Sequence, residues 1–542
     1  YSLRGQLSYS DVYREIHRFS VLAGAEIRGE KAEGIFEKRY GYDPVTGNSA
    51  MPVPKDPGNG EGFKYSDLVS YANAMDQLSG QEIEENRFAS FYGALDYSLF
   101  DRYVLNVSFR TDGSNNFGSD EQFNPTWSAG AVWHVSEETF MEVVRPVLSR
   151  LSLRVATGYT GNINKTVKPN LMMKYYKNFR ISDDENYRMG YINNAPNPKL
   201  RWEKTRDVKV ALDFGLWKDR INGIVEAYWR KSKDCVTSEY VPVTTGFFNQ
   251  SYNTSVLQNN GVEFSLSVAV LKSKDYNLSV SANVAWNQNK LKKYNSPNTS
   301  LALDKYVGYP MGAVFSGKYE GIDPETGMYK FKLRPDAVTN KDGYLREPNN
   351  YYYYLGTSVA PFTGGFNLNF SYKNIGLSVG GSYSVKAKMV DNIESPAGYE
   401  LLSGSKLESI PTPHNDLYRN HLNVKREVRN RWTPENRTGV KYPRLIDAYG
   451  KKLGLDLTNP TLTTITRGAL LEDISCLRIN TIALSYSLPQ RVLERINFSS
   501  AALNLTLNNF FTITKYSGID PEVPGATYPV SRSVTIGLNV GF

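Results

Sequence analysis

The sequence is poor in the residues that usually form catalytic and metal sites. Only two cysteines and four histidines occur in its 542 residues. Cys235 and Cys476 lie far apart and neither belongs to a C-x-x-C pair, so we expect two unpaired structural thiols, with a single disulfide as the alternative. The histidines share no ligand spacing with one another or with a cysteine, and no Walker loop, dinucleotide fingerprint or Ser-His-Asp order is present. These absences argue against an enzyme and against a bound cofactor.

The sequence also lacks long apolar runs. No stretch approaches the roughly 20 residues that a membrane-spanning helix needs, and the mean hydropathy is −0.44. A helical membrane protein is therefore excluded. A β-barrel remains allowed, because strands that alternate apolar and polar residues dilute the average hydropathy and give a much weaker pattern per segment.

Runs of like charge are absent too, although the formal net charge is +8. Basic and acidic residues are interspersed, so nothing resembles the basic arm of a nucleic-acid-binding protein. We interpret the excess of basic residues as a property of the loops and of the lumen of a barrel. The alternative is that these residues bind an anionic ligand. The chain begins at Tyr1 without a charged-then-apolar leader, which predicts a processed or partial product if the protein is exported.

What the sequence does contain is a pattern of period two, clearest at the C-terminus. A strand places alternate side chains on opposite faces. The apolar set here is Val534, Ile536, Leu538, Val540 and Phe542, and the residues between them are small or polar. A soluble sheet can show the same alternation, but a run that continues to a terminal Phe is typical of the strand that closes a bacterial outer-membrane barrel. We therefore predict that Phe542 is a C-terminal barrel-assembly signal.

The same alternation recurs along the whole chain and predicts fifteen strands. They are expected at 1–9, 19–28, 91–97, 103–109, 127–133, 151–159, 208–214, 221–229, 262–270, 278–286, 366–372, 375–379, 482–488, 503–507 and 534–542. Short turns alternate with longer loops, and loops are predicted between the strands at 19–28 and 91–97, between those at 221–229 and 262–270, and at 389–473. Aromatic residues near the predicted strand ends suit interfacial girdles; they are Tyr97, Tyr103, Trp127, Trp133, Trp229 and Trp286.

This alternation of loop lengths favours a membrane barrel over a soluble sheet. In outer-membrane barrels the periplasmic turns are short and the extracellular loops are long. Long structureless loops count against a compact soluble domain. If the last strand descends to a periplasmic C-terminus, every long loop is extracellular. Because a single-chain bacterial barrel has an even number of strands, fifteen strands predict a partial barrel.

Several motifs carry a resemblance to a known family. They lie at 86–92 (Asn-Arg-Phe-Ala-Ser-Phe-Tyr), 101–114, 157–162, 431–436 (Arg-Trp-Thr-Pro-Glu-Asn), 442–445, 509–522 and 528–532. In their residues and in their order along the chain, these motifs resemble those of the SusC/RagA-like TonB-dependent transporters. The resemblance covers nearly the whole chain. The two Gly-Ile-Asp-Pro-Glu segments, at 321–325 and 518–522, look like turn elements of that family, and we assign them no catalysis.

The resemblance implies the fold and its boundaries. The fold class is all-β: a transmembrane antiparallel β-barrel with long extracellular loops, in which residues 1–542 supply strands 8–22 of a 22-stranded barrel, a size class with a plugged lumen. The TonB box, the plug domain and the first seven strands are not in this chain. They are expected in a separate chain, in a part removed by cleavage, or in sequence left out here.

The resemblance also implies the function and its partners. It implies active import of a large nutrient, an oligosaccharide or other glycan or else a peptide, across the bacterial outer membrane. A SusD-like surface lipoprotein would cover the extracellular face, the TonB-ExbB-ExbD complex would supply energy through the plug, and two SusCD units could pair as a dimer. The alternatives are a passive porin-like or adhesin-like barrel and, less favoured, a surface enzyme.

Candidate contact residues fall into two groups. Aromatic residues in the predicted loops could stack on a sugar or grip a peptide, or could instead pack the loops together, which we prefer; they are Tyr175, Tyr176, Phe247, Phe248, Tyr351, Tyr352, Tyr353, Tyr354 and Trp432. Charged residues expected to face the lumen could line the solute path or contact the plug; they are Arg4, Arg154, Glu226 and Arg230. The acidic run 183–185 could bind a loop Ca²⁺, but it lacks the alternating oxygens of an EF-hand and is better explained as solvated acid.

Overall fold

The computed structural model describes most of the chain. The described residues are 1–37, 42–43, 45–48, 79–164, 167–175, 190–247, 249–294, 306–325, 327, 329–337, 351–390, 429–440, 467–524 and 528–542. Within them no helix has the length and apolar character needed to cross a membrane.

Twenty-three strands lie in the described residues. They are β1 (Ser2–Tyr13), β2 (His17–Glu37), β3 (Ser79–Leu99), β4 (Tyr103–Ser114), β5 (Phe123–His134), β6 (Leu148–Asn162), β7 (Met172–Tyr175), β8 (Gly190–Asn194), β9 (Glu203–Leu216), β10 (Ile221–Tyr240), β11 (Asn249–Lys272), β12 (Tyr276–Lys293), β13 (Ala313–Gly317), β14 (Tyr319–Ile322), β15 (Tyr329–Phe331), β16 (Tyr352–Thr357), β17 (Phe362–Tyr372), β18 (Ile375–Val385), β19 (Lys388–Val390), β20 (Leu471–Asp473), β21 (Cys476–Ser487), β22 (Ser500–Thr514) and β23 (Ser533–Gly541). A single turn of α-helix, α1 (Gln490–Leu493), lies between β21 and β22.

Fifteen of these strands form one antiparallel sheet. Its order is β1 to β6, β9 to β12, β17, β18 and β21 to β23, so strands adjacent in the sheet follow one another along the chain. The other eight strands form four separate pairs within the long connections. The prediction of fifteen strands in an all-β fold is confirmed. In the described part of the chain, β1 and β23 each pair on one side only.

One face of the sheet is apolar and exposed. Residues that lie opposite one another in the strand registers share a face. One such row is Val534, Leu507, Ile482, Val379, Leu368, Val280, Val268 and Ile221. Ile536 and Leu538 of the same face are 73% and 67% exposed. No element of the described chain covers these side chains, so this face requires an apolar environment.

The two ends of the sheet differ in their connections. At one end five of the seven connections are tight turns, at 14–16, 100–102, 217–220, 273–275 and 373–374, and the other two are 135–147 and 488–499. Arg14, Glu15, Phe100 and Asp101 in these turns adopt the left-handed backbone conformation with positive φ, which matches the turn to the twist of the paired strands. At the other end lie the long connections 163–202, 294–361 and 386–475.

Several strands extend further than the sequence predicts. The predicted loop between 229 and 262 is mostly strand, because β10 continues to Tyr240 and β11 begins at Asn249. Likewise β2 continues to Glu37 and β3 begins at Ser79 within a predicted loop. In these extensions the cross-strand backbone hydrogen bonds continue, while polar residues occupy both faces. The alternation that locates a strand in sequence is therefore missing there.

In six pairs of the sheet, a glycine lies directly opposite an aromatic residue whose ring fills the glycine's side-chain position. The pairs are Gly24–Tyr92, Gly113–Phe123, Gly223–Phe214, Gly261–Tyr228, Gly364–Tyr383 and Gly381–Phe366. In each pair the ring occupies the space that a Cβ on the glycine would need; for Gly24 the nearest ring atoms lie 2.4 Å from that position. Each ring therefore covers backbone that the glycine leaves bare, and a larger residue at the glycine would displace it.

Candidate functional site

The four predicted lumen residues all lie on the polar face of the sheet. Arg154 and Glu226 share a row, since both lie opposite Ala211. Three of the four form ion pairs: Arg154–Asp213 (2.6 Å), Glu226–Lys209 (3.2 Å) and Arg230–Asp207 (2.8 Å). These arginine and lysine side chains remain more than 40% exposed. That they line a solute path stays a prediction.

Arg4, the fourth, is held differently. Its Nε donates a hydrogen bond to the Tyr92 hydroxyl (2.6 Å) and its NH2 donates to Gln6. Its guanidinium also lies 5.1 Å from the centre of the Tyr92 ring, and that of Arg110 lies 5.6 Å from the same centre. Tyr92 is thus contacted by two cations, an arrangement in which the ring's negative faces stabilise both charges.

An aromatic cluster lies in the connection between β12 and β17. The β13–β16 pairing places Phe315 opposite Tyr354. The ring of Tyr309 contacts both, with centroid distances of 4.9 Å to each, and Tyr306 contacts Phe315 at 4.8 Å. Tyr309 and Tyr354 remain 37% and 41% exposed. Burial, followed by the neighbouring Tyr309, raises the pKa of Tyr354, so its hydroxyl stays a hydrogen-bond donor near neutral pH.

A groove of about 510 Å³ separates this cluster from the sheet. Tyr309 and Tyr354 line one side, and residues of β11 and β12 line the other: Asn259, Asn287, Gln288 and Asn289. Because side chains alternate along β12, the amides of Asn287 and Asn289 share one face of the strand. Among the described residues that line the groove, Lys290 is the one with a charged side chain. Exposed rings beside amide groups can stack on a ligand and hydrogen-bond its polar groups without requiring charge. We define these residues as the aromatic–amide groove.

The amides of the groove are fixed by their own hydrogen bonds. Asn289 donates to Asn259 Oδ1 (2.7 Å) and accepts from the backbone N–H of Met311 (2.8 Å). Asn287 accepts from the Tyr228 hydroxyl (3.1 Å). Because Asn289 bonds both to the sheet and to the connection, it holds the two sides of the groove at a set distance. The aromatic–amide groove is thus formed before any ligand arrives.

The other predicted aromatic residues are placed in varied surroundings. Trp432 is 6% exposed and donates from Nε1 to the Pro324 carbonyl, so it packs one connection against another. The Tyr353 hydroxyl donates to the Leu333 carbonyl. Tyr351, Tyr352 and Phe247 are half-buried, and Tyr175 ends β7 opposite Gly190. Phe248, Tyr176 and the acidic run 183–185 lie outside the described residues.

A buried charge cluster near β22 was not predicted from the sequence. Arg478 of β21 contacts Asp520 at 2.5 Å and also pairs with Glu522. The Arg478 and Asp520 side chains are 3% and 5% exposed. Asp520 also accepts hydrogen bonds from the backbone N–H groups of Glu522 (3.0 Å) and Val530 (3.1 Å). We call these residues the charge clamp, because they attach the connection 515–532 to the wall.

The protonation of the charge clamp follows from these contacts. Burial alone raises the pKa of Asp520, but the hydrogen bonds from Arg478 and from the two backbone N–H groups outweigh burial and lower it. Asp520 is therefore ionised at neutral pH. The only advance indication in the sequence was the Gly-Ile-Asp-Pro-Glu turn at 518–522; its partner Arg478 is 42 residues away along the chain and carries no motif of its own.

The family follows from comparison with known proteins. Residues 1–402 match the family model described as TonB dependent receptor-like, beta-barrel. The chain belongs to this family. The predicted resemblance is thereby confirmed, and membership of this outer-membrane family explains why the apolar face of the sheet is exposed: its environment is lipid.

Individual TonB-dependent receptors match along almost the whole chain. TonB-dependent receptor SusC of Bacteroides thetaiotaomicron is 26% identical over 555 residues, covering 97% of this chain and 48% of SusC. TonB-dependent receptor P26 of Formosa agariphila is 25% identical over 578 residues, covering 99% of this chain and 52% of P26. This chain therefore spans about half the length of the curated relatives it matches.

A solved peptide transporter contains the same architecture. The structure of the RagAB peptide transporter matches with a TM-score of 0.74 and 25% identity, covering 100% of this chain and 55% of that chain. The fifteen-stranded sheet is thus part of a TonB-dependent barrel. Among the residues with described positions, no group of three or more His, Cys, Asp and Glu is arranged to hold a metal ion, and Cys235 and Cys476 are free thiols.

Proposed function

We propose that this chain is the C-terminal part of the barrel of a SusC-type TonB-dependent transporter, which imports a large nutrient across the outer membrane. The observation that carries the proposal is the sheet itself: an apolar face for lipid, an ion-paired polar face for the lumen, and an aromatic–amide groove above it. The likeness to SusC and to the RagAB peptide transporter supports it.

The proposal includes strands from outside this chain. The edge strands β1 and β23 each pair on one side, and an open strand edge in lipid leaves backbone groups unsatisfied at several kcal/mol each. We propose that seven further strands, in the same or a separate polypeptide, pair with both edges, and that a plug domain occupies the lumen. Residues 1–542 then supply strands 8–22. The long connections are extracellular and the C-terminus is periplasmic.

The partners follow from the same proposal. A SusD-like surface lipoprotein covers the long connections, the TonB-ExbB-ExbD complex pulls on the plug, and two such units associate as a dimer. The aromatic–amide groove takes part of the solute between the lid and the barrel. Its lining has one cation and no carboxylate, so it suits the uncharged part of an oligosaccharide or of a peptide.

Energy dependence separates this function from its alternative. In cells that make the complete transporter, we expect uptake of its nutrient to stop when a protonophore collapses the proton-motive force, because the plug must be moved by TonB. Growth on panels of neutral oligosaccharides and of mixed peptides identifies the nutrient class. Uptake that persists in the presence of the protonophore would identify a passive porin-like barrel instead.

Two groove variants test the site. Replacing Tyr309 or Tyr354 with Ala removes a stacking ring, and we expect the half-saturation concentration for uptake to rise about fivefold, since a ring contact contributes roughly 1 kcal/mol. Tyr319→Ala is the matched control, because Tyr319 belongs to the adjacent β14 and does not line the groove. Equal effects of all three variants would contradict the assignment of the groove.

A further inference from the structure

A second groove, of about 330 Å³, lies on the lipid-facing side of the sheet. It crosses β3 to β6 close to the tight turns. Its walls come from two rows of opposed residues: Tyr97, Leu105, Ala131 and Val155, then Leu99, Tyr103, Trp133 and Leu153. Every residue that lines it is aliphatic or aromatic. We refer to it as the outer groove.

Small residues on β5 create the outer groove. Ala131 lies between Leu105 and Val155 of the neighbouring strands, and the next residue on the same face of β5 is Ala129. Ala131 leaves a depression, because its side chain stops short of the flanking Leu105 and Val155, and Ala129 continues the line of small side chains along β5. Atoms lining an unfilled depression lose dispersion contacts, and a flexible hydrocarbon chain laid along it restores them.

The end of the outer groove near the tight turns is polar. Glu138, in the connection 135–147, accepts hydrogen bonds from the Tyr103 hydroxyl (2.5 Å) and from Trp133 Nε1 (3.1 Å). These hydrogen bonds, that of Tyr103 first, lower the pKa of Glu138. Arg102 pairs with the same carboxylate at 3.3 Å. Two rings of the groove thus point their polar atoms towards one charged group.

Charges at this end are balanced. Two further ion pairs lie beside Arg102–Glu138, and both are exposed: Arg18–Asp101 and Arg145–Glu137. Each arginine of these three pairs has its own carboxylate, so the pairs form no cationic patch to favour an anionic headgroup. Neighbouring cations and anions match a headgroup that itself carries a phosphate and an ammonium.

We propose that the outer groove is a binding site for a zwitterionic glycerophospholipid of the phosphatidylethanolamine type. One acyl chain lies along Ala129 and Ala131 between Leu105 and Val155. The headgroup lies at the tight-turn end, with its phosphate towards an arginine and its ammonium towards a carboxylate. The lipid comes from the leaflet that meets the tight turns. This site is distinct from the aromatic–amide groove and independent of the transported nutrient.

Native mass spectrometry of the complete transporter tests the proposal. The protein is exchanged into detergent with equal amounts of palmitoyl-oleoyl phosphatidylethanolamine and phosphatidylglycerol, and bound lipid is counted. We expect one retained phosphatidylethanolamine. Ala131→Phe fills the floor of the groove and should lower its retention about tenfold, the change expected from losing roughly ten carbon–carbon contacts.

The matched control is Ala227→Phe. Ala227 lies in the same row around the sheet, opposite Val210 and Val262, and does not line the groove. It adds the same ring to the lipid-facing surface, and retention should stay as in the wild type. Equal retention in Ala131→Phe and wild type would overturn the site, as would an equal loss in the control.

A second variant tests the headgroup. Glu138→Gln keeps an acceptor for Tyr103 and Trp133 but leaves Arg102 without a carboxylate, so the end of the groove becomes cationic. We expect preference to move from phosphatidylethanolamine to phosphatidylglycerol, with Ala131→Phe still reducing both. A wild-type preference for phosphatidylglycerol or for lipopolysaccharide would contradict the assignment of a zwitterionic lipid.

Discussion

Ion pairs of the same chemistry occupy two very different regions of this molecule. In the charge clamp, Arg478 and Asp520 are 3% and 5% exposed. On the polar face, Arg154 and Asp213 are 44% and 16% exposed. The first pair joins a connection to the wall, whereas the second joins two adjacent strands that backbone hydrogen bonds already hold. The same pair of side chains therefore joins a connection to the wall in one place and links two adjacent strands at a partly exposed surface in the other.

The difference in exposure decides what each pair contributes. Removing one member of a buried pair leaves the other charge without water or partner and costs about 3–5 kcal/mol. An exposed pair contributes roughly 0–1 kcal/mol, because water and salt screen it. The presence of an ion pair therefore does not indicate how much it contributes to folding free energy in this barrel, whereas its exposure does.

The largest expected effect comes from breaking the charge clamp. Arg478→Ala leaves Asp520 buried and uncompensated, and we expect a loss of about 3–5 kcal/mol of folding free energy, seen as a lower temperature of unfolding in detergent and faster proteolysis within 515–532. The double variant Arg478→Met with Asp520→Asn removes both charges and should be milder. A double variant no more stable than Arg478→Ala would argue against an uncompensated buried charge as the cause.

Acid should weaken the clamp next. The folded pKa of Asp520 is lowered, so the clamp's stabilisation is fully present above the ordinary Asp value of about 3.9 and is lost as the pH falls through the lower, folded pKa. We therefore expect the stability difference between wild type and Asp520→Asn to be largest at neutral pH and to shrink below about pH 4. A difference that is constant with pH would contradict this assignment.

The polar face should respond in function more than in stability. Arg154→Gln removes an exposed pair, and we expect the unfolding free energy to change by less than about 1 kcal/mol, while nutrient uptake changes if this row lines the solute path. Arg230→Gln, which breaks the pair with Asp207, provides a second position on the same face. Unchanged uptake in both variants would favour a contact to the plug or a purely local role.

The smallest effect is expected at the tight turns. Arg18 and Asp101 pair with their side chains 57% and 58% exposed, so Arg18→Gln should leave both stability and uptake unchanged within error. This variant sets the baseline against which the variants of the charge clamp and of the polar face are measured. A loss comparable to that of Arg154→Gln would show that exposure alone does not rank these pairs.

Sequence reasoning succeeded where one face of a strand meets lipid. Between Val534 and Phe542, and in the strands that share its rows, apolar side chains alternate with polar ones, and the sheet has the predicted order. It fell short in the extensions of β10 and β11, where both faces are polar and only backbone hydrogen bonds define the strand. Pairing across a long connection leaves no periodic trace in the sequence.

The sites were harder to predict than the fold for a related reason. Asn289, Tyr309 and Tyr354 are far apart along the chain, and the β13–β16 pairing together with the hydrogen bond from Met311 to Asn289 brings them to a single groove. Tyr354 was among the predicted loop aromatics, but Tyr309 and the asparagines were not. Arg478 lies in β21, where the alternation of apolar and polar residues predicts a strand but does not predict a buried ion pair. Such sites depend on which connection folds over which strand, and that depends on tertiary packing.

The six glycine–aromatic pairs bear on how such a wall is assembled. Alternation alone tolerates a slip of two residues, because the apolar set stays on the same side. A slip at Gly24 would move the Tyr92 ring off the glycine and against a Cβ two positions away, while leaving the glycine bare. Each pair therefore favours one register between its two strands. The six pairs lie between β2 and β18, so the register is fixed separately at several positions as successive hairpins join the sheet.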